Sequence, residues 1–97
     1  MPTIIDNKGT THELPVILHG NGLVSDFRPE GGEFTLGELQ KAVGGLIEIV
    51  RVEPWSDIIL IVDEEGRLKR KRCNELASEM VGRYIVGDVV LMERKDF

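Results

Sequence analysis

The 97-residue chain predicts an α+β domain. Its expected plan is a mainly antiparallel sheet with two helices packed on one face, in the order hairpin, helix, strand, strand, helix, strand. Three observations carry this prediction. Phe34 to Glu48 reads as a capped amphipathic helix, a glycine stop and the start of a strand. Ile58 to Val62 is an unbroken apolar run of strand length, expected at the centre of the sheet. Asn74 to Gly82 repeats the sequence of cap, apolar stripe and glycine for a second helix.

Taken in order, Thr3 to Leu14 predicts a weak hairpin. Asn7-Lys8-Gly9 supplies the turn, and Thr10-Thr11-His12 favours a returning strand. Residues 15–33 hold Pro15, Gly20, Gly22, Pro29, Gly31 and Gly32, which break regular patterns, with only Val16 to Leu18 as a short strand. A loop of that length in a small domain is often functional or mobile. Thr35 then caps the first helix. Its hydroxyl can accept from the Glu38 amide while the Glu38 carboxylate reaches back, and Phe34 and Leu39 form the matching apolar staple. Leu36, Leu39 and Val43 share a face, and Gly44-Gly45 ends the helix.

Leu46 to Val52 alternates as a strand, with Glu48 on the side of Val50 and Val52. Glu53 to Asp57 and Asp63 to Gly66 are turns, and Arg67 to Arg72 is a basic connector. Asn74 caps the second helix, whose stripe is Leu76, Ala77, Met80 and Val81, with Gly82 as its stop. Val89 to Met92 is the last strand. The whole is read as one domain: an N-terminal hairpin and irregular segment over 1–33, a core over 34–92 and a polar tail over 93–97 that frays.

The formal net charge is −5, which disfavours non-specific nucleic-acid binding by the surface as a whole. One cysteine, Cys73, permits no internal disulfide and fits a reducing compartment. The N-terminus shows no basic segment followed by an apolar run, and the longest apolar run is far too short to span a bilayer. A cytoplasmic protein without membrane partners is expected.

The segments ELQKAVGGLIEIV, IILIVDEEGRLK, CNELA and YIVGDVVLM, in that order, resemble a small bacterial and phage domain known as domain of unknown function 3846. The resemblance spans roughly Phe34 to Met92. VGGLIE, DEEG and IVGDVVL carry most of it. It implies no common enzyme activity. It implies a phage or mobile-element setting, hence an accessory protein inside a bacterial cell, acting against host defence.

The sharpest charge feature is the connector with Arg67, Lys69, Arg70, Lys71 and Arg72. A phosphate could sit at the start of the second helix, at Asn74, with Arg70, Lys71 and Arg72 around it. The alternative is a solvated loop paired with Asp63, Glu64 and Glu65. Trp55 is either a stacking surface for a ligand or a lid over the core edge. Glu48 either reads a ligand amine or pairs with Arg51 or Arg83 at the sheet rim. His12, His19 and Cys73 do not make a zinc pattern, and the acidic turn lacks calcium-loop spacing, so neither metal nor cofactor is expected.

Two functions compete. The first is a non-enzymatic binding module for a small phosphorylated ligand or nucleotide signal of the host, with Arg70, Lys71, Arg72, Asn74, Trp55 and Glu48 as its residues. The second is an acidic adaptor or inhibitor that occupies a host protein. A catalytic role ranks behind both, because no nucleophile–base or metal pattern stands out. Exposed edge strands also make a homodimer an expectation.

Overall fold

The computed structural model describes residues 2–97, with the side chains at 55 and 56 outside the described set. Its elements are β1 (Thr3–Ile5), β2 (Thr11–Glu13), β3 (Val16–Leu18), β4 (Val24–Asp26), α1 (Leu36–Val43), β5 (Ile47–Val52), β6 (Trp55–Asp63), α2 (Glu75–Val81) and β7 (Val89–Glu93). A short 3-10 turn, Arg94–Asp96, follows β7 where fraying was expected. β1 and β2 form their own two-stranded sheet, and the main sheet has the order β4-β3-β7-β6-β5. The pairings described are all antiparallel. The α+β class is therefore as the sequence predicts.

The placement of the helices is not. α1 and α2 pack on opposite faces of the sheet, not on one. Leu39 and Val43 of α1 sit with Ile59, Ile61, Val90 and Met92. Ala77 of α2 sits with Val50, Val52, Leu60, Val62, Val89 and Leu91. Successive side chains of a strand point to opposite faces, so each neighbour in Ile59-Leu60-Ile61 and in Val89-Val90-Leu91-Met92 needs its own cover. One helix on each face supplies it, and all seven residues are buried.

The irregular stretch after Leu14 contains a hairpin that the sequence reading missed in part. β3 and β4 pair from Val16↔Asp26 to Leu18↔Val24, closed by a turn in which the Gly22 amide donates to the His19 carbonyl. Gly22 has φ +93°, open to glycine without a Cβ clash. β3 also pairs with β7, from Val16↔Leu91 to Leu18↔Val89, which makes it an interior strand. At the N-terminus, the Asp6 carboxylate accepts from the Lys8 and Thr10 amides and contacts His12 Nε2 at 2.8 Å, fixing the β1–β2 turn.

The helix ends match their sequence cues. Thr35 and Glu38 make both hydrogen bonds of a capping box. Gly44 and Gly82 end α1 and α2 in the left-handed conformation, with φ of +84° and +68°.

Candidate functional site

The basic connector between β6 and α2 divides into residues that turn inward and residues that face solvent. Lys69 and Lys71 turn inward onto Asp63, whose side chain is wholly buried at the end of β6. Asp63 Oδ2 lies 2.9 Å from Lys69 Nζ and 2.7 Å from Lys71 Nζ, and Oδ1 accepts from the Glu65 amide at 2.9 Å. The two ammonium groups also donate to the last carbonyls of α1, Lys71 to Val43 at 2.6 Å and Lys69 to Gly44 at 3.0 Å. Those carbonyls lack helical partners and carry the negative end of the helix dipole, so cations are favoured there. Burial pushes the Asp63 carboxyl up, but the hydrogen bonds from Lys71, Lys69 and the Glu65 amide outweigh it and hold the group down at about 2.

This clamp also explains the paired glycine after α1. A Cβ on Gly45 would collide with Lys69 Nζ and lie 2.9 Å from Asp63 Oδ1, and one on Gly44 would lie 2.9 Å from Lys71 Nζ. A Cβ on Gly87 would lie 2.7 Å from Lys71 Cδ. The VGG, DEEG and IVGD segments, far apart in sequence, thus meet around two lysine side chains.

Arg67, Arg70 and Arg72 are exposed. The Arg67 guanidinium stands 5.2 Å from the Tyr84 ring centroid and donates to the Tyr84 carbonyl at 3.2 Å. Arg70 has φ +55°, the one positive φ outside glycine among the described residues. Arg67, Arg70, Lys71, Tyr84 and Val86 together line a concavity of about 540 Å³ whose charged residues are all basic. Arg67, Tyr84 and Val86 also form one wall of a neighbouring hollow of about 170 Å³, which contains Glu48, Glu64 and Arg83. Glu48 Oε2 lies 3.7 Å from Arg83 Nη2, an ion pair without hydrogen-bond contact.

The six residues singled out from sequence therefore separate. Arg70 and Lys71 share the basic concavity. Glu48 lies in the adjoining hollow. Arg72 lines a different cleft of about 480 Å³, with His19, Lys41 and Asp88, and Lys71 borders both. Asn74 is buried and fully occupied: Oδ1 accepts from the Ala77 amide, and Nδ2 donates to the carbonyls of Leu18 and Gly87. Its polar atoms hold α2 to β3 and to the turn before β7. The Trp55 side chain lies outside the described residues. The reading of the connector as a loop paired with Asp63 holds for Lys69 and Lys71.

Sequence reasoning passed over Tyr84 and Arg67 as a unit, because seventeen positions separate them. It also passed over a polar row across β4, β3 and the approach to β7. His19 Nε2 lies 2.8 Å from Ser25 Oγ, and His19 Nδ1 lies 3.3 Å from Asp88 Oδ2. Asp88 Oδ1 in turn accepts from the Gly20 amide. Ser25 does not line the adjacent cleft, and the row ties three neighbouring segments together at one end of the sheet. Among the described residues no cluster of three or more His, Cys, Asp or Glu could hold a metal ion.

Comparison with known proteins places the sequence in a family. The family described as "Domain of unknown function (DUF3846)" matches residues 23–96. The chain belongs to the DUF3846 family. The match takes in β4 through the final 3-10 turn, a longer span than the resemblance covered. β3 precedes the match, yet it joins β4 to β7 in the main sheet. No curated protein and no solved structure matches the chain. No helix among the described residues is long and apolar enough to cross a membrane.

Proposed function

We propose that this DUF3846 protein is a non-enzymatic binding module for a small phosphorylated ligand, held at the concavity of Arg67, Arg70, Lys71 and Tyr84. The observation that supports this reading is the sign of the lining. On a chain with net charge −5, this hollow brings together three cations and no carboxylate. Lys71 shares the Asp63 carboxylate with Lys69, and the two arginines carry planar donor forks suited to phosphate oxygens. The left-handed backbone at Arg70 agrees with a binding role, since locally costly conformations gather at such sites. In the phage or mobile-element setting that the family resemblance implies, such a module would sequester a host signal as a counter-defence.

Native mass spectrometry of protein drawn gently from a bacterial lysate tests this. The expected result is a bound small anion, released on denaturation and absent from an Arg67→Ala/Arg70→Ala variant, while Arg72→Ala retains it. An apo mass, with phosphate compounds indifferent to the double variant, would overturn the reading.

A second reading, an adaptor, inhibitor or homodimer, is favoured by one edge of the sheet. β5 is an edge strand, and Ile49 within it and Leu46 just before it are about half exposed. Light scattering during size exclusion checks self-association; a monomer whose mass is unchanged by Ile49→Lys removes the homodimer.

A further inference from the structure

The two hollows on either side of Arg67 and Tyr84 differ in charge, and that difference bears on what the ligand carries besides phosphate. The larger is purely basic. The smaller contains Glu48, Glu64 and Arg83, together with Asp63, whose oxygens are already taken by the two lysines and the Glu65 amide. Between them stands a planar pair, the Arg67 guanidinium and the half-exposed Tyr84 ring. A molecule bridging the hollows has an anionic end, a flat middle and a far edge that meets a carboxylate beside a guanidinium.

We propose, building on the reading above, that the ligand is a guanine nucleotide. Its phosphate meets Arg70 and Arg67, and its base lies against the Tyr84–Arg67 pair. Its pairing edge meets Glu48 and Arg83. Bases stack on aromatic rings and on guanidinium planes whatever their identity, so Tyr84 and Arg67 supply affinity without selectivity. Selectivity falls to Glu48. Its side chain is 43% exposed and only loosely paired with Arg83, at 3.7 Å, which leaves the carboxylate open to donors. Ionised carboxylates only accept hydrogen bonds. Guanine offers two adjacent donors, N1–H and the N2 amino group, with the O6 acceptor beside them for the Arg83 fork. Adenine and cytosine each offer one donor next to a ring nitrogen acceptor, which leaves one carboxylate oxygen unmatched. A site that hydrogen-bonds a substrate group discriminates against analogues lacking it.

Isothermal titration of the full chain with GMP, IMP, AMP and ribose 5-phosphate tests the proposal. GMP should bind about tenfold more tightly than AMP, in the range of one good bidentate contact. IMP, which lacks the N2 amino group, should fall between them. Glu48→Gln should erase the gap between GMP and AMP and leave ribose 5-phosphate unchanged. Tyr84→Leu, at an exposed position, should weaken all three nucleotides about tenfold and spare ribose 5-phosphate. Equal affinity for ribose 5-phosphate and GMP would overturn base recognition while the phosphate reading stands. A preference for AMP, or a guanine preference that survives Glu48→Gln, would overturn the assignment of guanine. If none of the four binds, this proposal fails, and the phosphate reading fails with it if the lysate-derived protein also carries no anion.

Discussion

Two halves of one short connector behave differently. Lys69 and Lys71 point inward, share a buried carboxylate and cap the C-terminal end of α1. Arg67 and Arg70 point outward and bound an open, basic concavity. As a string of letters the connector is a single charge cluster. Folded, its lysines hold β6, the end of α1 and the approach to α2 together, and its arginines stay at the surface, Arg67 against Tyr84. The difference follows from side-chain form. A compact ammonium on a flexible stem can thread past Gly44, Gly45 and Gly87 to a buried oxygen, whereas a broad guanidinium is suited to a flat or forked partner at the surface.

The sharpest way to break this comparison is to remove the carboxylate. Asp63→Ala leaves two ammonium groups without their shared partner, and removing one member of a buried pair costs roughly 3–5 kcal/mol. Both lysines are partly solvated, at 39% and 23% exposure, so a loss of about 3 kcal/mol is expected from urea unfolding. Arg67→Ala and Arg70→Ala should each change stability by less than about 0.5 kcal/mol. An outer arginine that costs as much as Asp63 would erase the distinction between the two halves.

Asn74 gives the next largest effect and separates two roles in one side chain. Asn74→Ala removes the cap of α2 and leaves the carbonyls of Leu18 and Gly87 without their donor, for an expected loss of about 2–3 kcal/mol. Asn74→Asp keeps the cap acceptor but points a carboxylate oxygen at those carbonyls. If thermal unfolding shows Asp to be as damaging as Ala, the tie to β3 and Gly87 dominates; if Asp is close to wild type, the cap does.

Acid titration reads the clamp without a structural lesion. The Asp63 carboxyl is held at about 2, below its ordinary 3.8. A depressed folded-state value stabilises the fold above the unfolded value and loses that stabilisation as pH falls from 3.8 towards 2. The difference corresponds to about 2 kcal/mol. Asp63→Asn should therefore show a shallower loss of stability than wild type between neutral pH and pH 2. Parallel curves would mean that Asp63 does not titrate differently in the folded and unfolded chain.

Much of the scaffold for these contrasts could be read from local sequence. Thr35 and Glu38, Gly44, Asn74 and Gly82 marked the helix ends because caps depend on residues three or four positions apart. The apolar runs at Ile58 to Val62 and Val89 to Met92 gave the central strands. The same runs imply burial on both faces, and so helices on both faces, a consequence the α+β plan with one covered face left undrawn. β4 was obscured because Val24-Ser25-Asp26 is short, flanked by turn residues and stabilised by pairing with β3. The division of the connector was not legible at all. Which cation turns inward depends on Asp63, on the Val43 and Gly44 carbonyls and on Gly87, brought together by tertiary structure.

The smallest expected effect has the opposite sign and bears most directly on function. Arg70 holds φ +55°, and a left-handed backbone costs an L-residue roughly 1–2 kcal/mol that glycine does not incur. Glycine gives back roughly 0.5–1 kcal/mol through the greater entropy of its unfolded chain. Arg70→Gly should therefore stabilise the protein by about 0.5 kcal/mol in urea unfolding and abolish retention of the anionic ligand. A residue kept only to fill a surface turn would show the first change without the second. If Arg70→Gly is more stable and binds as before, Arg70 belongs with the solvated surface, and the basic concavity loses the residue that most distinguishes it from the clamp.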